Sequence, residues 1–534
     1  MDSNDQYELF RNLVRRVNIG DTLTRSASRM PEKIAVIDGE KRYSYRELNS
    51  EANQLAWSFS AYGLSRGDSV ALMAGNCAEF LITYYACAKL GVICVPVNLG
   101  WKSREISYVL KHSQAKAVVV ESHLVPLLRE SLDKSDQISL AVVTRGLVDE
   151  FEPGSDSRTW VSLEDFSSLS VSLEPEFFVD DRDPVSYLYT SGTTSAPKCV
   201  ASSHLSVYLE SMTVDVEMGL KASDKSVALM PLFHTAQLNG IVTPLLILGA
   251  SIILLRGFNP DILLDVIEKE GATHIFCLPM MYRALLARDD IGKRDFSTLE
   301  LATYAMAPMP DGDLKRAIEV FGCNFALAFG QTEMAPVTTV FKPEFQLDYA
   351  GSVGQAAVNT QVEIMDDYGR ILPWGMSGEI VYRSPHALEG YARNEEATRE
   401  VFAFGWFHSG DIGHFDHDGF LWFEDRKKDV IKTGGENVAS IEVEKAIYDT
   451  VDGVQEVVVI GLPHSHWGEA ITAIVTKRPG ADLTEDGLLA TLKEQLSGFK
   501  TPKAVIFLDE MPRTSTGKVQ KHILREQLVD YYRQ

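Results

Sequence analysis

Several features that mark particular protein classes are scarce in this chain of 534 residues. Its few cysteines show no CxxC spacing, which argues against zinc ribbons and disulfide frameworks and favours a reducing, cytoplasmic compartment. They are Cys77, Cys87, Cys94, Cys199, Cys277 and Cys323. The opening segment, MDSNDQYELF, has no basic stretch followed by an apolar run, so no secretory signal is expected.

Long hydrophobic runs and basic residues are also in short supply. The longest apolar run, Ile241 to Leu255, is broken by Pro244 and Gly249 and is too short to span a bilayer. It therefore predicts a buried helix followed by a buried strand, and no integral membrane association. Lysine and arginine total 51 against 74 acidic residues, a formal net charge of -23. This balance argues against nucleic acid and anionic membranes as main partners, so an anionic substrate needs a local basic site.

What is present predicts a multidomain α/β protein. The length exceeds what one core usually holds, and the hydrophobic fraction of 45% is ordinary for a globular chain. Short β-branched runs predict buried strands at 69–74, 92–97, 115–121 and 250–255. Amphipathic segments ending at glycine predict helices at 45–63 and 259–271. Their alternation favours layers of largely parallel sheet and helix.

A run of charged residues, Glu424 to Asp429, is the best candidate for a domain boundary. Before it, GFLWF is typical of a strand; after it come a helix from about Ser440 and the strand-like segments VQEVVVIGL and AITAIVTKR. Because the run separates two self-contained patterns, residues 1–424 are predicted as a large domain and 430–534 as a small α+β domain. The alternative is an ordinary solvated charge run.

The first stretch that carries chemistry is YTSGTTSAPKCV, which follows the strand-like VSYLY. Glycine lets the backbone approach a ligand, successive N–H groups and hydroxyls bind anions, and a lysine adds charge. The stretch predicts a polyphosphate cradle, with a flexible polar loop as the alternative. The cradle residues are Thr190, Ser191, Gly192, Thr193, Thr194 and Lys198.

Three later stretches each carry a polar group that ATP could use. In AFGQTEMAP, Glu333 offers the ligand type that Mg²⁺ prefers, and Phe329 could stack on a base. In HSGDIG, Asp411 lies between glycines on a predicted loop and could hold ribose hydroxyls. In PRTSTGK, Lys518 follows a glycine on a polar loop near the C-terminus. Taken alone, each stretch also fits a solvated turn.

Together these stretches resemble a known family. YTSGTTSAPK, FGQTE, HSGDIG, DRKKDVIKTGGENVASIEVE and PRTSTGK occur in the order and spacing of the adenylate-forming superfamily. That group contains acyl- and aryl-CoA synthetases, peptide-synthetase adenylation domains and beetle luciferases. The resemblance covers nearly the whole chain, from about Thr22 to Gln527. Within the superfamily, the GGENV…IEVE signature and LPxxxWGE, Leu462 to Glu469, look most like fatty acyl-CoA ligases.

The resemblance implies a fold and a two-step reaction. The fold has a large N-terminal domain of layered α/β sheets plus a distorted barrel, residues 1–427, and a small mobile α+β domain, residues 428–534, hinged at Lys428. A carboxylate first attacks ATP to give acyl-AMP and pyrophosphate, and the thiol of coenzyme A then displaces AMP. An ionised carboxylate needs charge neutralisation and in-line placement rather than a general base. The implied cofactors are ATP, Mg²⁺ and coenzyme A.

The resemblance also implies the roles of residues around ATP. The Thr190–Lys198 loop takes the β- and γ-phosphates, Thr332 touches the α-phosphate and Glu333 holds Mg²⁺. Lys518 bridges the carboxylate and the α-phosphate. The remaining residues assigned to the nucleotide are Phe329 at the adenine (where the family usually has tyrosine), Gln331, Asp411 at the ribose and Arg426 assisting it.

The acyl and thiol sites are implied in the same way. His234 lies where the acyl pocket meets the thiol path, with a packed loop histidine as the alternative. The implied acyl pocket also contains Tyr304, Ala305, Met306 and Gly330. After rotation of the small domain, Lys432 and a thiolation loop approach the thiol. That loop consists of Gly434, Gly435, Glu436 and Asn437.

Two stretches of the chain depart from the family pattern. Cys199 stands where glycine is usual, and we expect it to pack against a neighbouring strand rather than to react. Ala305 and Met306 replace two glycines, which predicts an acyl pocket blocked or redirected at that wall; the alternative is that Met306 repacks the core. The histidines of the 408–417 segment lack metal-ligand spacing and are interpreted as surface or packing residues. They are His408, His414 and His417.

Other functions stay open beside the CoA ligase. The enzyme could load an acyl carrier protein or stop at acyl-AMP, although no extra segment is evident before the hinge and the GGEN loop is retained. A non-catalytic nucleotide sensor is disfavoured by the retained Glu333, Asp411 and Lys518, and a nicotinamide dehydrogenase by the lack of GxGxxG in a βαβ unit. The identity of the carboxylic acid and the oligomeric state, with a homodimer as one option, are not predicted.

Overall fold

Two units make up the chain in the computed structural model, which describes residues 3–133, 137–146, 158–168, 170–190, 197–306, 309–514 and 519–533. The first unit comprises Met1–Gln361 and Arg383–Phe402, and the second comprises Val362–Tyr382 and Ala403–Gln534. Residues 362–382 and 403–427 thus group with the C-terminal residues by their backbone contacts. The division of the chain into 1–427 and 428–534 about a hinge stays a prediction.

Strands and helices alternate along the first unit and continue into the second. The strands are β1 Ile34–Asp38, β2 Lys41–Ser44, β3 Ser69–Met73, β4 Ile93–Pro96, β5 Ala115–Glu121, β6 Leu140–Thr144, β7 Thr159–Ser162, β8 Pro184–Thr190, β9 Lys198–Ser203, β10 Lys225–Ala228, β11 Ser251–Leu254, β12 His274–Cys277, β13 Leu301–Tyr304, β14 Asn324–Gly330, β15 Val337–Phe341, β16 Gln355–Ala356, β17 Gln361–Met365, β18 Gly378–Arg383, β19 Gly390–Tyr391, β20 Phe407–Phe415, β21 Leu421–Arg426, β22 Ile431–Thr433, β23 Glu436–Val438, β24 Val454–His464, β25 Gly468–Lys477 and β26 Ala504–Phe507. The helices are α1 Ser3–Arg15, α2 Ile19–Arg29, α3 Tyr45–Tyr62, α4 Ala78–Leu90, α5 Ser103–His112, α6 Val125–Ser131, α7 Leu163–Ser168, α8 His204–Met218, α9 Thr235–Gln237, α10 Thr243–Leu248, α11 Pro260–Glu270, α12 Pro279–Leu286, α13 Asp311–Phe321, α14 Glu395–Val401, α15 Ser440–Thr450, α16 Glu485–Gln495 and α17 Lys521–Gln527.

Two large sheets form the first unit. The first sheet has the order β16-β15-β14-β13-β12-β10-β11-β1-β2, and the second has the order β19-β9-β8-β4-β3-β5-β6-β7. Their central strands are parallel, while β2, β15, β16, β9 and β19 pair antiparallel. The predicted strands and the largely parallel pairing are therefore confirmed. The continuous β-branched runs suit central strands because these are covered on both faces.

Helices α3 and α4 pack in one core with strands of both sheets. A capping box starts α3: the Ser44 side chain accepts from the Glu47 N–H, and the Glu47 carboxylate accepts from the Ser44 N–H. Gly63 ends the helix in a left-handed conformation, at the residue that the sequence predicts. Every residue of α4 is buried, which explains why its sequence is apolar almost all round.

The second unit contains two smaller sheets. The third sheet, with the order β17-β18-β20-β21, is open at both edges, so the described residues do not close into the barrel expected from the resemblance. The fourth sheet pairs β23-β22-β25-β24 and adds β26 beside β25. Helices α15 and α16 cover one face of this sheet, which confirms the α+β character predicted for the C-terminal residues.

The predicted burial of the longest apolar run is also confirmed. Segment 241–255 forms the end of a π-helical turn, then α10 and β11, and no helix in the described ranges is long and apolar enough to cross a membrane. All six cysteines are buried and none forms a disulfide.

Candidate active site

Strands β8 and β9 form the hairpin that leads into the predicted phosphate cradle. The two strands are antiparallel, and Thr190 at the end of β8 faces Lys198 at the start of β9. The rest of β9 is buried, which anchors the lysine at the mouth of the hairpin. The remaining cradle residues lie outside the described part of the chain. They are Ser191, Gly192, Thr193 and Thr194.

A tyrosine brings the predicted phosphate and metal residues together. Its strand, β19, pairs antiparallel with β9, so that Tyr391 faces Val200. The Nζ atom of Lys198 lies 4.7 Å from the centroid of the Tyr391 ring. The hydroxyl of Tyr391 donates a hydrogen bond of 2.9 Å to Oε1 of Glu333. Burial raises the pKa of this tyrosine, and the nearby Glu333 carboxylate raises it further. The hydroxyl therefore stays protonated and remains a hydrogen-bond donor. Sequence reasoning missed Tyr391, and the segment LEGYAR carries no local signal that would have identified it.

Glu333 lies in a tight loop between the antiparallel strands β14 and β15. Gly330 at the end of β14 has φ +154°, and an added Cβ would come 2.0 Å from the carbonyl oxygen of Pro336. Only glycine fits there, because the returning backbone occupies the place of a side chain. The loop presents four predicted nucleotide or metal residues, all partly exposed: Phe329, Gln331, Thr332 and Glu333.

A buried pair, His386 and Glu210, holds this loop from behind. The Nδ1–H of His386 donates to the Met334 carbonyl at 2.7 Å, and its Nε2 lies 3.0 Å from the Thr360 hydroxyl. A carboxyl oxygen of Glu210 accepts from the Val337 N–H at 2.7 Å. Burial lowers the pKa of His386 to about 4 and raises the pKa of Glu210, so burial favours the neutral form of both side chains. The sequence gives no pattern that links these two residues.

The predicted acyl wall follows strand β13. The hydroxyl of Tyr304 donates to Oε1 of Gln346 at 2.8 Å, and both residues are buried, as is Ala305. Met306 has φ +71°, a left-handed backbone conformation that residues other than glycine rarely adopt. The backbone at this position therefore has the conformation that the family's usual glycine adopts without strain, although the residue here is methionine.

His234 starts the short helix α9, and its Nδ1 accepts from the Ala236 N–H at 3.3 Å. The π-helical turn that follows contains Gly240, where an added Cβ would lie 3.4 Å from Pro336. The segment after His234 thus packs against the loop that carries Glu333. This supports the expectation that His234 belongs near the active site.

The predicted ribose residues form an ion pair in the second unit. Asp411 in β20 faces Arg426 in β21, and Oδ1 of Asp411 lies 2.9 Å from Nε of Arg426. The prediction that Asp411 lies on a loop is wrong, because the ladder with β21 continues through it. The carboxylate side chain is almost buried, whereas that of Arg426 is 43% exposed.

The residues around the predicted hinge are anchored on both sides. Lys427 makes ion pairs with Asp367 at 2.7 Å and with Glu379 at 3.1 Å. Asp429 pairs with Arg525 of α17 at 2.8 Å. Lys428 lies between these two anchored neighbours and is exposed.

The thiolation loop is the tip of the β22–β23 hairpin. Thr433 faces Glu436, which leaves Gly434 and Gly435 as the two turn residues. Their φ values, +60° and +89°, are those of a type I′ turn and explain the paired glycines. Lys432 faces Asn437 across the hairpin. Thr433 is buried, and the other residues of the tip are exposed: Lys432, Gly434, Gly435, Glu436 and Asn437.

Lys518 lies outside the described residues, and only its surroundings are placed. Arg513 and Val519, on either side of its segment, form an antiparallel bridge, and the Arg513 guanidinium pairs with Glu456. The role of Lys518 stays a prediction.

The interpretations of Cys199 as a packing residue and of three histidines as surface or packing residues are supported. Cys199 faces Tyr189 across the β8–β9 ladder, and burial raises the pKa of its thiol to about 12. His408 and His414 pair with Glu379 and Glu424, and His417 is exposed. Among the described residues no group of three or more His, Cys, Asp or Glu side chains is arranged to hold a metal ion.

Comparison with known proteins identifies the family. The model of the AMP-binding enzyme matches residues 23–392, and that of the AMP-binding enzyme C-terminal domain matches residues 442–518. Together they include every predicted nucleotide residue except Asp411 and Arg426. The chain belongs to the AMP-binding enzyme family.

Full-length relatives give the same result. An indoleacetate–CoA ligase of Aromatoleum aromaticum is 32% identical over 96% of this chain and 98% of its own length. The long-chain-fatty-acid–CoA ligase FadD13 of Mycobacterium tuberculosis is 32% identical with the same coverage, and the fatty acid–[acyl-carrier-protein] ligase ScoC of Streptomyces coeruleorubidus is 30% identical over 95% of each chain.

A solved structure agrees with these relatives. ATP-bound MatB from Rhodopseudomonas palustris superposes with a TM-score of 0.87 at 29% identity, covering 97% of this chain and 100% of that one. The chain is therefore an ATP-dependent acid–thiol ligase of the acyl-CoA ligase type.

Proposed function

We propose that this enzyme converts a carboxylic acid to acyl-AMP with release of pyrophosphate and then transfers the acyl group to the thiol of coenzyme A. The observation that carries the first step is the meeting of Lys198 and Glu333 at Tyr391. A cation for phosphate oxygens and a carboxylate for a metal ion are thereby held side by side in one unit.

The residues present fit a magnesium ion. Glu333 is partly exposed, and a carboxylate has acceptor capacity beyond the one hydrogen bond from Tyr391. Bound Mg²⁺ would neutralise charge on the phosphates. Lys198 attracts the terminal phosphates, Thr332 donates to the α-phosphate, and Lys518 neutralises charge between the carboxylate and that phosphate.

Ribose binding is proposed for Asp411, with Arg426 as its orienting partner. The ion pair holds the carboxylate in a fixed orientation, in which it can accept hydrogen bonds from ribose hydroxyls.

Thioester formation is proposed for the hairpin tip of the second unit. Glycines at positions 434 and 435 let a ligand approach the backbone closely, and Lys432 supplies a positive charge beside them. Coenzyme A is strongly anionic, and the chain as a whole is acidic, so local positive charge is required on its path. The relationship to ScoC keeps a carrier protein as the second candidate acceptor.

For the acid, we propose a compact substrate rather than a straight long-chain one. Met306 projects from a backbone position suited to glycine, and the neighbouring Tyr304 is fixed by Gln346. Both side chains reduce the space along this wall. Relatives act on indoleacetate and on long-chain fatty acids, so family membership alone does not choose between the two shapes.

Pyrophosphate release across aliphatic, aromatic and polycyclic acids tests this proposal. Each acid is assayed with coenzyme A, with a phosphopantetheinylated carrier protein, and without a thiol. We expect a compact acid to give pyrophosphate release in all three assays and to form a thioester with coenzyme A only. Thioester on the carrier alone, or acyl-AMP as the final product in every arm, would contradict the proposed acceptor; a preference for straight long chains would contradict the pocket.

We also propose that the enzyme lies in a reducing, cytoplasmic compartment. Six buried cysteines without a disulfide support a cytoplasmic enzyme.

A further inference from the structure

Tyr391 occupies a position that none of the assigned roles explains. It lies in a strand of two residues, Gly390–Tyr391, and is nearly buried. Its ring and its hydroxyl contact two different residues, each of which is proposed to bind a different part of magnesium–ATP. We propose that Tyr391 is a positioning residue that sets the metal carboxylate and the phosphate lysine relative to each other. This inference rests on the proposed roles of Glu333 and Lys198.

The hydroxyl contact restricts the carboxylate. A glutamate side chain has three rotatable bonds, and a metal ion benefits when the carboxylate is already oriented. The 2.9 Å hydrogen bond from the tyrosine to Oε1 of Glu333 removes part of that freedom. It also leaves Oε2 as the oxygen that can turn toward the ion.

The ring contact restricts the lysine. A lysine on a β-hairpin end is flexible, and a charge over an aromatic face gains stabilisation from the ring. Lys198 Nζ lies 4.7 Å from the centroid, within the range for this interaction. The ring therefore holds the ammonium near Glu333. Without the ring, the lysine side chain would extend into solvent.

The backbone around Tyr391 fixes the tyrosine itself. The Leu388 N–H donates to the Glu333 carbonyl at 2.7 Å, and the Ala392 N–H donates to the Cys199 carbonyl at 2.9 Å. Segment 388–392 is thus hydrogen-bonded to the metal loop at one end and to the phosphate hairpin at the other. A tyrosine in the middle of such a bridge has little freedom to leave either contact.

The two contacts can be separated by substitution. Tyr391→Phe removes the hydroxyl and keeps the ring, whereas Tyr391→Leu removes both. Tyr45→Phe is the matched control, because it also removes a buried tyrosine hydroxyl bond, here to the Ala250 carbonyl at 2.6 Å, and contacts none of the proposed site residues. Glu333→Gln tests the metal assignment independently.

The measurements are the Mg²⁺ concentration for half-maximal pyrophosphate release and, without any acid, the calorimetric Kd of ATP in Mg²⁺ and in EDTA. For Tyr391→Phe we expect a half-maximal Mg²⁺ concentration raised about tenfold, largely recovered at high Mg²⁺, and an unchanged Kd of ATP in EDTA. For Tyr391→Leu we expect ATP to bind more weakly in EDTA as well, with its Kd raised about threefold to tenfold. Tyr45→Phe should match the parent chain in both.

The outcomes distinguish this inference from the proposed function. If Glu333→Gln leaves the Mg²⁺ requirement unchanged, the metal assignment is wrong and this inference fails with it. If Glu333→Gln raises the requirement but Tyr391→Phe behaves like Tyr45→Phe, only the positioning role is overturned. If both tyrosine variants weaken ATP equally in EDTA and in Mg²⁺, Tyr391 acts through general packing, which also overturns the proposal.

Discussion

Asp411 and Arg426 face each other across two antiparallel strands, with 2.9 Å between the carboxylate Oδ1 and the guanidinium Nε. The aspartate is almost buried, whereas the arginine reaches solvent. A charged group held this way is oriented before a ligand arrives, which reduces the entropy cost of binding.

Asp411→Asn should therefore weaken ATP binding. The amide carries no charge for Arg426 and accepts hydrogen bonds from ribose hydroxyls less strongly, so we expect the KM for ATP to rise about tenfold or more. Steady-state pyrophosphate release at varied ATP measures this. Arg370→Gln, which breaks the exposed pair with Asp366 at 2.8 Å in the same unit, is the control and should change KM by less than about twofold. An unchanged KM in Asp411→Asn would remove the ribose assignment.

Lys432→Ala should separate the two half-reactions. Lys432 is exposed beside the glycine turn and is proposed to act only toward the thiol, so adenylation should stay within about twofold while thioester formation falls about tenfold or more. Single-turnover formation of acyl-AMP, followed by addition of coenzyme A, measures both steps. Lys500→Ala, which removes a partly exposed lysine paired with Glu442 at 2.6 Å, serves as the control. Equal loss of both steps would contradict the assignment.

Lys518→Ala should give the opposite pattern. Its charge is proposed to neutralise the carboxylate and the α-phosphate, so we expect adenylation to fall by about a thousandfold and thioester formation from supplied acyl-AMP to persist. The two rates are measured separately on purified acyl-AMP and on the free acid. A variant that loses both steps to the same extent would show that this lysine does not belong to one half-reaction alone.

Met306→Gly should change which acid the enzyme prefers. At φ +71° glycine is free of the strain that methionine carries, and its missing side chain opens the wall beside Tyr304. We expect kcat/KM for longer or bulkier acids to rise about tenfold relative to the best compact acid. Profiles over the same acid panel for both chains are the measurement. If the ratio stays fixed, Met306 only packs the core.

His204 should make the protein less stable at acidic pH. It is fully buried, its Nδ1 accepts from the Ile19 N–H at 3.1 Å, and burial lowers its pKa to about 4. The unfolded chain protonates near its ordinary pKa of about 6.5, so from there down to about 4 it binds more protons than the folded chain, and stability falls as pH falls. We expect this residue to contribute a loss of about 2 kcal/mol between about pH 7 and about pH 5.

His204→Asn is the matched variant, because an amide oxygen can accept the same N–H without titrating. Urea denaturation at both pH values, compared between the chains, isolates the contribution of His204. Asp215, whose pKa burial raises to about 8, shifts stability in the opposite direction and is common to both chains. A pH dependence that is identical in the two chains would contradict the assignment.

The sequence predicted the fold better than the site. Alternating β-branched runs and glycine-terminated helices sufficed for β5 and α3, because local pattern and tertiary burial agree there. Asp411 was misplaced onto a loop because flanking glycines are typical of turns, whereas here they tolerate a ladder with β21.

The supporting residues could not be predicted at all. Tyr391, His386 and Glu210 act through contacts with residues far away in sequence, and neither spacing nor periodicity encodes such pairs. The family motifs identified the groups proposed to touch ATP, but not the groups that orient them.

The burial of the cysteines has a practical consequence. Burial raises the pKa of Cys77, Cys199 and Cys323 to about 12, so these thiols are poor nucleophiles toward alkylating dyes. A cysteine introduced at the exposed Asn437, and a second one at an exposed residue such as Glu395, would take up fluorophores against this quiet background. A chain with these two added cysteines thus suits energy-transfer measurements that follow the thiolation loop during turnover, without first replacing the native cysteines.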